Sequence, residues 1–90
     1  MESHLKRKIE EASDYCGVPS DFILFFIQEE WIRPTDFETP ILDEEDVARV
    51  QLIWDLKQKF GVNDEGIPII LHLIDQLNLM HLELKKFRIH

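Results

Sequence analysis

The chain has 90 residues, 44% of them hydrophobic, and a formal net charge of −8. That is enough apolar material for one compact domain, and it excludes a disordered chain. The excess of acid argues against polyanionic partners, because nucleic-acid binding rests on phosphate neutralisation by Lys and Arg. Residues 1–9 carry a net +2, residues 10–46 a net −11 with Arg33 as their one base, and residues 47–90 a net +1. Such a patch favours a basic protein surface. The single cysteine, Cys16, allows no intramolecular disulfide and falls on an apolar stripe, as a buried structural thiol does. The opening residues lack the apolar core of a signal peptide, and no apolar run nears the roughly 20 residues of a membrane span, so a cytoplasmic location is expected.

The first helix is predicted over Ser3–Cys16, where Leu5, Ile9, Ala12 and Cys16 share one face. Gly17 stops it. Ser20 or Pro19 starts a second helix that ends near Glu30. Residues 31–42 (WIRPTDFETPIL) are predicted non-helical, with two short extended pieces pairing around Thr35–Thr39 as a minimal wing. Asp43 caps a third helix, with Asp46 three residues on as a variant capping box. Val47, Val50, Ile53, Trp54 and Phe60 form its apolar face, and Gly61 closes it.

Asn63 or Asp64 opens the last helix, which becomes regular near Glu65–Ile67 because Pro68 cannot donate a backbone hydrogen bond. It is predicted to run to about Phe87. Ile70, Leu73, Leu77, Met80, Leu84 and Phe87 alternate in steps of three and four, a coiled-coil seam. Ile67, Leu71 and Ile74 add a second stripe in the first half only. One face therefore packs on the body, and the seam beyond it needs a partner. The simplest partner is the same helix of a second copy, so Leu73, Leu77, Met80, Leu84 and Phe87 are assigned to a homodimer interface. The whole reads as one domain, residues 1–90: a helix-turn-helix, wing and third helix over 3–61 and a dimerisation helix over 63–90.

The second helix is the most informative segment. Phe22–Ile27 are six apolar residues in a row, and at 100° per residue they point in every direction. Ile23, Phe26 and Ile27 take the i, i+3, i+4 spacing of a core face. Phe22, Leu24 and Phe25 point elsewhere. Either other helices cover them or they form an exposed binding patch rimmed by Asp21, Glu29 and Glu30, with Asp36 and Glu38 in the wing. The run Asp43–Asp46 suits a helix first turn, whose dipole favours negative charge.

No catalytic, metal or cofactor site is expected. The histidines have no zinc spacing, and His72, Asp75 and Gln76 read as a solvated polar face. Adjacent Glu29 and Glu30 diverge on a helix, and Gly17, Gly61 and Gly66 form no phosphate loop. An enzyme is not expected. Trp54 reads as core, and Trp31 as a pin for the wing.

The stretches GVPSDFILFFIQEEWIRP and ILDEEDVARVQLIWDLKQKFGVNDEGI resemble the MerR-type winged helix-turn-helix, matching at Gly17, Val18, Pro34, Asp46, Val47, Val50, Ile53, Leu56, Gly61 and Ile67. The resemblance implies a mainly all-α fold with a minimal wing and a long C-terminal helix. The chain departs from it at the DNA-reading positions: Leu24 stands where those proteins carry Arg, and the short wing holds Asp36 and Glu38. Length, acidity and the tail pattern Gly66, Ile67, Leu71, Leu73, Asp75, Leu77 resemble the CbpM-type chaperone-modulator family over about residues 9–88. That resemblance implies binding to the J-domain of a CbpA/DnaJ-like co-chaperone and restraint of its work with DnaK. A MerR-type DNA-binding regulator is the alternative, and a purely structural dimerisation module a third reading.

Overall fold

A computed structural model describes residues 6–36 and 38–88, with side chains through 86. The element order is β1 (Arg7–Lys8), α1 (Ile9–Cys16), α2 (Ser20–Gln28), β2 (Ile41–Leu42), α3 (Glu44–Gln58) and α4 (Gly66–Arg88). It is the mainly helical winged helix-turn-helix architecture that the sequence predicts.

Two boundaries differ from expectation. The first helix begins at Ile9, because Arg7 and Lys8 are extended and pair antiparallel with Leu42 and Ile41. The expected residues Ser3–Leu5 lie outside the described ones. Among the described residues no hairpin forms around Thr35–Thr39. That loop is closed by the Asp36 carboxylate, which accepts from the Glu38 and Thr39 N–H groups at 2.9 and 3.4 Å. A short polar side chain bonding the backbone two or three residues on is a turn device. The second extended piece, Ile41–Leu42, is then left to pair with the segment before α1.

Local chemistry sets the helix ends. Gly17 takes φ 77° and its N–H donates to the Ser13 carbonyl, while the Ser13 hydroxyl donates to the Val18 carbonyl. The predicted capping box of α3 is present: Asp43 Oδ1 accepts from the Asp46 N–H at 2.8 Å, and Asp46 Oδ2 from the Asp43 N–H at 3.1 Å. Gly61 has φ 67°, and the Val62 N–H donates to the Leu56 carbonyl. Asn63 opens α4 by accepting the Gly66 N–H on both its side chain and its carbonyl. Pro68 then falls in the first turn, where no intrahelical donor is needed.

One core joins the elements. Ala12 and Val18, then Ile23, Phe26 and Ile27 of α2, Val47, Val50 and Ile53 of α3, and Ile67 and Leu71 of α4 are buried together with Trp31, Ile32 and Leu42. Cys16 is half-buried against this core. Phe60 is a correction: it lies past the end of α3 and is 73% exposed, since the helical period that put it on the apolar face no longer runs there. Trp54 is half-buried at the core's margin rather than inside it.

The long helix α4 has 23 residues and spans about 34 Å at 1.5 Å per residue. Of its described side chains only Ile67 and Leu71 are buried. Leu73, Leu77, Met80 and Leu84 of the expected dimer seam are all exposed, as are Leu79 and Leu82. The side chain of Phe87 lies outside the described residues. None of the described helices is long and apolar enough to cross a membrane.

Asp43 supplies both halves of its box with a partner. Asp43→Ala should therefore destabilise the fold by about 1 kcal/mol in urea unfolding, with an unchanged m value.

Candidate functional site: the outer face of the second helix

The core-facing and outward-facing residues of α2 separate as its periodicity requires. Ile23, Phe26 and Ile27 are buried, while Asp21, Phe22, Leu24, Gln28, Glu29 and Glu30 are exposed and Phe25 is half-buried. The outward arc thus carries three acids, one amide and no base.

The three apolar candidates are not equivalent. Phe22 meets Trp54 of α3 edge-on, with ring centroids 5.0 Å apart and planes at 69°. Phe25 meets Trp31 at 5.6 Å and 85°. Edge-to-face contacts of this kind hold the rings in place beyond their area burial. Leu24, 48% exposed, has no such partner. Tryptophans from α3 and from the exit of α2 thus cover part of what the six-residue apolar run left open. The apolar surface that remains is Leu24 on one flank of the arc and the edges of Phe22 and Phe25 on the other, with the carboxylates of Asp21 and Glu29 among them.

The end of α2 is built by a left-handed residue. Glu30 has φ 64°, alone among the described non-glycine residues. Its N–H donates to the Ile27 carbonyl, and the Trp31 N–H donates to the Phe26 carbonyl, both at 2.9 Å. These two bonds make a Schellman motif, in which Gly or Asn is the usual left-handed residue. The hydrophobic contact that accompanies the motif is present too, with the Trp31 and Phe26 rings 5.7 Å apart. The turn lifts Glu30 into solvent next to Arg33, whose guanidinium stands 3.8 Å from its carboxylate in an exposed pair. Pairs of this kind are worth little in water.

Behind this turn lies a cleft of about 710 Å³ between the α2 exit, the start of α3 and the first half of α4. Its walls include Glu30, Trp31, Glu45, Asp46, Arg49 and Asp75. Arg49 spans it: Nε donates to the Trp31 carbonyl at 2.9 Å, and the two terminal nitrogens donate to the Asp75 carboxylate at 3.1 and 3.3 Å. The hydrogen bond from Arg49 holds the Asp75 carboxyl below the usual carboxylate range. Burial raises that of Asp46, and the neighbouring Asp43 charge adds to the rise against a backbone hydrogen bond that lowers it. Asp75 is exposed with His72 and Gln76, as its spacing suggested, and in addition belongs to a forked ion pair. Arg49 and Asp75 are 26 residues apart, and no local pattern joins them.

Asp36 and Glu38 stay in the loop, exposed, with Asp36 spent on its own turn. Among the described residues no three His, Cys, Asp or Glu side chains gather as metal ligands would.

The model for MerR HTH family regulatory proteins matches residues 7–88 of the chain. No curated protein matches it.

Two outcomes follow from this geometry. Glu30→Gly removes a Cβ from a left-handed position and should raise stability by up to ~1 kcal/mol, while Glu30→Val should lower it, both read by thermal unfolding. The Asp75 carboxyl should titrate below an ordinary Asp by NMR and return toward the usual value in Arg49→Gln. Since its folded value is lowered, the stability it lends is present above the unfolded Asp value and is lost as pH falls through the folded one.

Proposed function

The chain belongs to the MerR HTH family of regulatory proteins, and from that premise we propose that it regulates by gripping a protein, as a chaperone modulator that binds the J-domain of a CbpA/DnaJ-like co-chaperone. The observation that carries this reading is the outward arc of α2: Asp21, Leu24, Gln28 and Glu29 occupy the surface that a DNA reader would fill with Arg and Lys, and Glu30 follows at its exit. Neutralising phosphates needs cations, and this helix offers none. Carboxylates interleaved with apolar side chains suit a basic, amphipathic helix instead, steering it by charge and holding it by Leu24 and the edges of Phe22 and Phe25. The resemblance of length, acidity and tail pattern to the CbpM-type family supports a J-domain as that partner. Binding there restrains the co-chaperone's work with DnaK by occupying its surface.

The reading includes a second copy. Leu73, Leu77, Met80 and Leu84 stand exposed along one side of α4, and Phe87 continues their spacing. Joining two such helices removes this apolar side from water.

Titration calorimetry with a DnaJ-like J-domain should give binding at micromolar concentrations or below. Glu29→Lys with Glu30→Lys should slow association about 10-fold at low salt and flatten its salt dependence. Leu24→Asp should weaken the complex without unfolding the domain. Absence of heat at tens of micromolar, together with salt-dependent retardation of a DNA duplex, would return the chain to the DNA-binding reading. In sedimentation, Leu77→Lys should convert a two-copy species to one copy.

A further inference from the structure

We propose that Arg49 is a latch that sets the direction of α4 and ties it to the exit of α2. The claim goes beyond the partner reading and does not depend on it. Of the described side chains on α4, only Ile67 and Leu71 are buried, and they lie one turn apart. Ile70 and Ile74 are half-buried beside them, so the apolar contact of α4 lies within residues 66–74 and none of the described side chains farther out is buried. The next contact outward is the Asp75 carboxylate, one further turn along, held by both terminal nitrogens of Arg49 at 3.1 and 3.3 Å. Beyond it every described side chain, residues 76–86, is exposed. The fork is therefore the outermost restraint on a lever of about 20 Å, the 13 residues after Asp75 at 1.5 Å each. A tilt of about 10° at the fork would carry the tip by about 3 Å.

The same guanidinium is committed at its other edge. Arg49 Nε donates to the Trp31 carbonyl at 2.9 Å, and Trp31 is the residue whose ring meets Phe25 of α2. A planar guanidinium with both edges engaged cannot move relative to one partner without straining the other. The α2 exit and the tail helix thus behave as one unit while the fork is closed. The pair is half in solvent, 31% exposed on Arg49 and 50% on Asp75, so salt reaches it. A second restraint, the ion pair of Lys57 with Asp64, steadies the turn before α4 but lies on the near side of its pivot.

The test is a spin-label distance measurement on the full chain, with labels at Gln51→Cys and His81→Cys in a Cys16→Ser background. The labelled chain is diluted in excess unlabelled chain, so that only distances within one copy are read. The latch predicts one narrow distance for the otherwise unchanged chain. Asp75→Asn and Arg49→Gln should broaden it at least 2-fold, Asp75→Glu should restore most of the narrow peak, and molar salt should broaden the unchanged chain as Asp75→Asn does. Circular dichroism confirms that the helices persist, and the exposed Asp75→Asn keeps the test valid if Arg49→Gln fails to fold. An equal width in the Asp75→Asn and unchanged chains, or a broadening that Asp75→Glu does not reverse, would overturn the proposal.

Discussion

The peptide of Trp31 is where the parts of this molecule meet. Its N–H ends α2 on the Phe26 carbonyl, its ring lies against Phe25 and Phe26, and its carbonyl receives Arg49 of α3, which also holds Asp75 of α4. The two bonds to its peptide satisfy the N–H and carbonyl of a buried residue, where an unpaired group would be costly. The consequence is geometric. Once Trp31 is seated, the outer arc of α2 and the direction of the tail helix are set against the same core. The surface we assign to a protein partner is therefore presented by a rigid support rather than by a loose helix.

The electrostatics act on a different scale. No described carboxylate of the outer arc has a close buried partner, and Glu30 has only an exposed neighbour in Arg33. Such charges add little to stability but set a long-range field. The apolar contribution is local, from Leu24 and the rims of two phenylalanines that tryptophans hold upright. In the reading we propose, steering and adhesion are supplied by separate groups, the carboxylates favouring a basic partner over a duplex and the apolar side chains holding it.

What the sequence made legible was what is decided within a few residues. The start of α2 at Ser20, the Asp43–Asp46 box, the turn at Gly61 and the opening of α4 before Pro68 all follow from neighbours in the chain. The division of α2 into a buried Ile23, Phe26, Ile27 face and an outer one also follows from its period. Hidden were the features that depend on distant parts. Two-residue strands carry no periodic signal, so Arg7–Lys8 looked like helix until Ile41–Leu42 arrived to pair with them. The end of α2 was legible near Glu30, but not the left-handed conformation of Glu30 itself, since Gly is the residue that announces one. Trp54 and Trp31 covering Phe22 and Phe25 and the Arg49–Asp75 fork are tertiary contacts with no local trace.

The central claim is that the outer arc of α2 takes a polypeptide where relatives of its architecture would take DNA. Amide chemical-shift mapping of the isotope-labelled chain tests it most directly. Addition of an unlabelled J-domain should move the signals of residues 21–33 in saturable fashion, and addition of a duplex at physiological salt should leave them in place. Shifts of those same residues with the duplex, and none with the J-domain, would contradict the account.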